Sequence, residues 1–222
     1  MPPRSYGQFC TLARTLDVVG QRWTLLVVRE LMLGPKRFTD LLDGLPGIGR
    51  NLLAERLRQL ESAGLVVRGH LPAPAASRVY LLTDDGKALG PAMAALGRWG
   101  AERLDRPGAD LLFRPAWMIF PLAYLADSEA ARGLEDEYEL RVDGEAFHLH
   151  VADGRIEPRA GAAADPVLVL RLDAETLRDL FAAELAPEEA LQGGRIEVEG
   201  DSRALERFMA IFAAPAPTAA PT

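Results

Sequence analysis

The sequence predicts an α+β protein built from two units, a helical one in front and a mixed one behind. Three observations predict it. The first is charge: residues 1–106 carry 15 Lys and Arg against 10 Asp and Glu, whereas residues 107–222 carry 10 against 22. The second is hydrophobic period, which is helical through the front half and alternates with period two in stretches of the rear half. The third is the run Arg106-Pro107-Gly108, which interrupts a helical pattern where the charge changes. We therefore expect units at 1–106 and 107–213. A disordered tail is expected at 214–222, which holds only Ala, Pro and Thr.

The front half reads mainly as helices. Residues 12–19 form the first. A second, at 22–33, carries Trp23, Leu26, Val27 and Leu31 at helical spacing before a Gly34-Pro35 stop. A short third, 38–45, turns Leu41, Leu42 and Leu45 inward and ends at Pro46-Gly47. The fourth, 49–63, stops at Gly64, and Leu53, Leu57 and Leu60 form its buried stripe. Residues 65–70 and 78–82 read as two strands around a loop containing Pro72 and Pro74. Thr83 suits an N-cap, and Asp84 and Asp85 suit the positive end of a helix running to about residue 104.

In the rear half a helix is expected at 117–132, followed by strands at 139–142, 146–151 and 167–172. Asp143-Gly144 and Asp153-Gly154 are turn dipeptides of the hairpin kind. A helix at 174–185 places Leu177, Leu180, Phe181 and Leu185 on one face. Residues 195–199 read as a last strand, and Leu205, Phe208, Met209 and Phe212 line a last helix.

Several function classes find no support in the residues. The longest apolar stretch, 116–126, is too short to span a bilayer and contains Pro121. The opening MPPRSYGQ lacks the apolar core of a signal peptide. One cysteine, Cys10, excludes an internal disulfide framework and a multi-cysteine zinc site. These features point to a cytoplasmic protein with no membrane partner. His148 and His150 alternate on a strand and share a side, but with no Cys or further His nearby we expect no metal. Nucleophile elbows, phosphate-cradling loops and HExxH patterns do not occur, so neither catalysis nor a cofactor is expected.

Two short helices joined by a tight turn, then a β-hairpin, are the parts of a winged helix-turn-helix. Such a fold needs a second helix with one apolar stripe for docking and a polar opposite face for the major groove. Rotation by 100° per residue from Leu53 turns Asn51, Glu55, Arg58, Gln59 and Ser62 outward, with Arg50 and Arg56 on the flanks. Asn and Arg reach adenine and guanine edges bidentately, and flanking arginines hold phosphates. Arg68 and Arg78 sit on the hairpin strands, and Arg37 and Gly49 complete the expected DNA-binding set. Arginines opposite a leucine stripe also describe a solvated face. The order and spacing of all the parts favour duplex DNA.

The stretch CTLARTLDVVGQRWTLLVVRELMLGPKRFTDLLDGLPGIGRNLLAERLRQLESAGLVVR, residues 10–68, resembles the HxlR family of bacterial transcriptional regulators. SRVYLLTDDGKALGPAMAALGRWG, residues 77–100, continues the resemblance. It implies a winged-helix homodimer reading a palindromic double-stranded operator, with half-sites about 34 Å apart. Cys10 falls where the family usually carries a cysteine, which several relatives use to sense oxidants or electrophiles. It is therefore the redox candidate; the alternative is a small side chain packed at a dimer interface.

The segment LRDLFAAELAPEEALQGGRIEVEGDSRALERFMAIF, residues 177–212, resembles the sterol-carrier-protein-like fold. That resemblance implies an apolar tunnel for a lipid or other hydrophobic molecule. Its candidate lining is Trp117, Phe120, Tyr124, Phe147, Phe181, Phe208 and Phe212. Singly each reads as plain core, while so many aromatics in one small unit favour a cavity. The whole reads as a DNA-binding transcriptional regulator whose operator affinity responds to a small hydrophobic ligand. Two alternatives stay open: a lipid-handling carrier or enzyme with an attached DNA-binding domain, and a regulator whose rear unit serves only dimerisation or protein contact.

Overall fold

The computed structural model describes residues 5–72, 76–101 and 112–212. The chain divides into two compact units, one ending at Leu96 and the other beginning at Gly97. The expected junction at Arg106-Pro107-Gly108 and the expected tail at 214–222 both lie outside the described residues.

The first unit is helical with a small sheet. Helices α1 (Thr11–Val19), α2 (Thr24–Met32), α3 (Phe38–Gly44) and α4 (Arg50–Ser62) precede strands β1 (Val66–His70) and β2 (Arg78–Leu82). Val27, Val28 and Leu31 of α2, Leu41 of α3 and Leu53, Leu57 and Leu60 of α4 close the core. The apolar residues of α4 recur three and four apart, so one face docks and the other is left to water. Gly47, at a φ of 92°, makes the turn between α3 and α4 that a side chain would strain.

The two strands pair antiparallel from Val66 opposite Leu82 to His70 opposite Arg78, forming the hairpin of a wing. Lys36 adds a bridge to Tyr80, with N–H to carbonyl distances of 3.0 and 2.8 Å. Thr83 Oγ1 donates to the Gly64 carbonyl at 2.7 Å and accepts from Gly86 N–H at 3.1 Å, capping α5 (Asp84–Lys87). Here the structure differs from the long helix expected from residue 84. A turn at 88–89 separates α5 from α6 (Gly90–Ala101). Pro91 contributes to the break, because it has no N–H to give to the Lys87 carbonyl and so cannot continue the ladder of α5.

In the second unit α7 (Ala116–Leu125) leads into β3 (Glu135–Val142), β4 (Glu145–Ala152), β5 (Arg155–Ala160) and β6 (Leu168–Leu172). Helices α8 (Ala174–Phe181) and α9 (Pro187–Gln192), strand β7 (Glu197–Gly200) and helix α10 (Ser202–Phe212) follow. The five strands lie in the order β5-β4-β3-β6-β7, with β3 and β6 parallel and the other neighbours antiparallel. Tyr138, Leu140, Val142, Phe147, Leu149, Val151, Leu168 and Leu170 share the buried face. The helices contribute Ile119, Phe120, Ala123, Leu177, Ala190, Ala204, Phe208 and Ile211 to the core.

Three expectations are corrected in this unit. The helix expected at 174–185 ends at Phe181, because Ala183 takes a φ of 55° and leaves Leu185 outside it. The helix expected at 117–132 ends at Leu125, because Asp127 Oδ1 accepts from the N–H groups of Glu129 and Ala130 and organises a turn. Strand β5 was not expected. It contains Pro158, which pairs opposite Leu149, and its place at the sheet edge tolerates a missing N–H.

Candidate nucleic-acid interface and apolar site

Helix α4 begins at an extended Gly49. Arg50, Asn51, Glu55 and Arg58 are exposed beside it, opposite the buried Leu53, Leu57 and Leu60. Arg58 lies along the helix, its Nε donating to the Ala54 carbonyl at 3.3 Å. Arg37 is exposed at the N-cap of α3, where its N–H donates to Asp40 Oδ2 at 2.9 Å.

Arg56 departs from the exposed flank that helical rotation gives it. It is 7% exposed, and its guanidinium is directed into the protein. Nε donates to the Arg22 carbonyl at 3.1 Å, Nη1 to Gln59 Oε1 at 2.6 Å and Nη2 to Gln21 Oε1 at 3.3 Å. Gln59 of α4 itself supplies one of these acceptors, and the turn before α2 the other two. Trp23 within it adopts a φ of 78°, which sequence periodicity does not reveal. An opposed carbonyl drew the arginine inward, and only the tertiary fold brings the two together.

On the wing, Arg68 is held twice. Its Nε and Nη2 donate to the two carboxylate oxygens of Glu61 at 2.6 and 2.9 Å, and its guanidinium lies 5.7 Å from the centre of the Tyr80 ring. Burial is slight, and the Glu61 carboxylate raises the pKa of Arg68. Arg78 is exposed and has no hydrogen-bond or ion-pair partner among the described residues. Cys10 is exposed at the N-terminus of α1.

The aromatic candidates fall into groups. The rings of Phe120 and Tyr124 on α7 lie tilted against each other with centroids 4.9 Å apart, and burial raises the Tyr124 pKa. Phe208 and Phe212 on α10 lie 4.6 Å apart. Both meet Tyr138 edge-on, at 5.4 and 6.0 Å. Phe147 is buried on the same sheet face, Trp117 is half-buried on α7, and Phe181 is half-buried on α8 without a ring partner among the described residues. Sequence reasoning missed Tyr138, the centre of this cluster. Its signal was the alternation Tyr138, Leu140, Val142, which extends the strand toward the N-terminus.

His148 and His150 lie on the opposite sheet face from this cluster. His148 Nδ1 is 2.9 Å from the Gly161 carbonyl, and His150 Nδ1 is 2.9 Å from Glu137 Oε1. Among the described residues no three His, Cys, Asp or Glu side chains are arranged to hold a metal ion. No described helix is long and apolar enough to cross a membrane.

Residues 18–107 match the HxlR-like helix-turn-helix family, and residues 122–213 match the SCP-2 sterol transfer family. The uncharacterized HTH-type transcriptional regulator YvaP of Bacillus subtilis is 36% identical over 92 residues, 41% of this chain and 85% of its own length. The HTH-type transcriptional regulator YodB of the same species is 37% identical over 92 residues, 41% of this chain and 81% of its own. The solved reduced form of YodB is 34% identical, spans 46% of this chain and 99% of that one, and has a TM-score of 0.39.

Proposed function

The chain belongs to the HxlR-like helix-turn-helix family of transcriptional regulators and carries an SCP-2 sterol transfer domain, and from that premise we propose a ligand-responsive DNA-binding regulator. In this reading α4 is the recognition helix and enters the major groove. Arg50, Asn51 and Arg58 face the bases and phosphates, while Arg37, Arg78 and the wing hold the backbone. The observation that carries it is the two-sided build of α4: three buried leucines on one face, and exposed Arg50, Asn51 and Arg58 on the other.

The regulator acts in the cytoplasm as a homodimer on a palindromic operator. Exposure of Leu12 and Leu16 on α1 and of Leu96 on α6, at 65%, 38% and 56%, supports burial of these faces against a second copy. A small hydrophobic molecule binds in the second unit among the aromatics of α7, β3, β4, α8 and α10, Phe181 included. Burial of apolar surface, worth roughly 25 cal/mol per Å², makes micromolar affinity attainable without an ion pair. The ligand alters operator affinity by binding the DNA-competent and incompetent forms with different free energies.

Selection of binding sites from a random duplex library tests the DNA half of this reading. The full chain is expected to enrich a palindrome, and Asn51→Ala to relax its base preference. Native mass spectrometry of protein purified from its own host tests the ligand half. A bound apolar molecule supports the reading, and a bare protein favours a protein-contact role for the second unit.

A further inference from the structure

The hydrogen bonds of Arg56 constrain how its neighbour Gln59 meets a base. Arginine is a donor at every nitrogen, so the amide oxygens, not the amide nitrogens, of Gln21 and Gln59 face it. The Gln59 side chain therefore has one orientation. Its Oε1 is taken by Arg56 Nη1 at 2.6 Å, and its Nε2 donates to Glu55 Oε1 at 3.1 Å. Glu55 is exposed and Gln59 half-buried, both on the polar side of α4. Arg56 Nε is anchored in turn on the Arg22 carbonyl, so the chain of bonds starts from backbone outside α4.

A glutamine with both amide groups available pairs with adenine through one donor and one acceptor. The amide of Gln59 thus turns its Oε1 toward the buried Arg56 and keeps a second N–H, beyond the one given to Glu55, on the side of that exposed carboxylate. Both purines show the N7 acceptor in the major groove, but at the 6-position guanine shows the O6 acceptor where adenine sets its N6 donor, so an N–H aimed at that position favours guanine. We propose that Arg56 is a positioning residue, which fixes α4 against the Gln21-Arg22 turn and presents Gln59 as a donor that selects guanine over adenine. The inference rests on α4 being the recognition helix. It gives Arg56 a part in base selection without contact to DNA.

The test is binding-site selection, with competition titrations, on the full chain and on Gln59→Ala, Gln59→Glu, Arg56→Met, Arg56→Lys and Asn51→Ala. Wild type is expected to prefer guanine over adenine at one half-site position. Gln59→Ala and Gln59→Glu should reduce that preference roughly tenfold, the second because it keeps an acceptor for Arg56 but loses the donor. Arg56→Met releases the amide and should move the same position toward adenine with an unchanged salt slope. Arg56→Lys, which keeps one donor, should restore part of the guanine preference. A merely structural role would instead weaken all sites alike and leave the motif as it was. That outcome for Arg56→Met, or an unaltered motif in Gln59→Glu, overturns the proposal. Should Arg56→Met fail to fold, Gln59→Glu decides. If Asn51→Ala changes the motif while Gln59→Glu does not, this inference alone fails; if neither does, the recognition-helix reading fails with it.

Discussion

The hydroxyl of Tyr138 donates to Asp136 Oδ2 at 2.7 Å, and Arg207 Nε reaches the same oxygen from α10 at 2.8 Å. One carboxylate thus ties strand to helix beside the aromatic cluster. Tyr138 is fully buried, and burial, then the hydrogen bond to Asp136, pushes its hydroxyl up to about 12 from 10.0. The folded state therefore holds this proton where the unfolded chain releases it.

The stability from this shift is fully present below pH 10 and is lost as pH rises toward 12. It amounts to about 3 kcal/mol. Urea denaturation of wild type and Tyr138→Phe at intervals from pH 9 to 12 checks it. The difference between the two should shift by that amount in favour of the variant across the window. Parallel profiles would contradict the assignment.

At Gly86 the surrounding backbone leaves no room for a side chain. A Cβ there would lie 2.2 Å from the Leu65 carbonyl oxygen, part of the backbone that enters the wing. Gly86→Ala is expected to destabilise the first unit by about 1–3 kcal/mol through forced displacement. Chemical denaturation followed by Trp fluorescence measures it, and a change under 0.5 kcal/mol, as for a neutral surface site, would count against the packing.

Much of the fold was legible because its signals are local. The stripe of Leu53, Leu57 and Leu60 marks α4, and Asp143-Gly144 marks a hairpin whose two residues do adopt φ values of 49° and 84°. What escaped depends on distant partners. Pro158 argues against a strand unless that strand is known to be an edge, and Tyr138 joins Phe208 only when α10 packs on β3. The turn of Arg56 toward Arg22 spans 34 residues, so a helical wheel places the side chain on a flank that it does not occupy. The outward positions of Asn51 and Arg58 follow from period alone.

The two wing arginines should behave differently. Arg78 is unpaired among the described residues, so Arg78→Ala should weaken binding to all sequences similarly and reduce the salt slope by about 1. Arg68 is already neutralised by Glu61, and Arg68→Ala should change that slope less while exposing an unpaired carboxylate. Anisotropy titrations at several salt concentrations separate the two, and equal slopes would show that Arg68 leaves Glu61 for phosphate.

Cys10→Ser is expected to leave operator binding intact with and without diamide. Gel-shift assays check it. Release of wild type but not of the variant by the oxidant would instead assign Cys10 a sensing role.

The central claim, that a hydrophobic molecule in the second unit alters DNA affinity, is tested most directly by fluorescence anisotropy. The selected operator duplex is titrated with wild type and Phe181→Ala, each with and without the apolar molecule that native mass spectrometry identifies. Ligand is expected to change wild-type affinity by about 5- to 150-fold. Phe181→Ala should bind the duplex equally well but require more ligand for the same change. Identical operator affinity of wild type at zero and saturating ligand would contradict the claim.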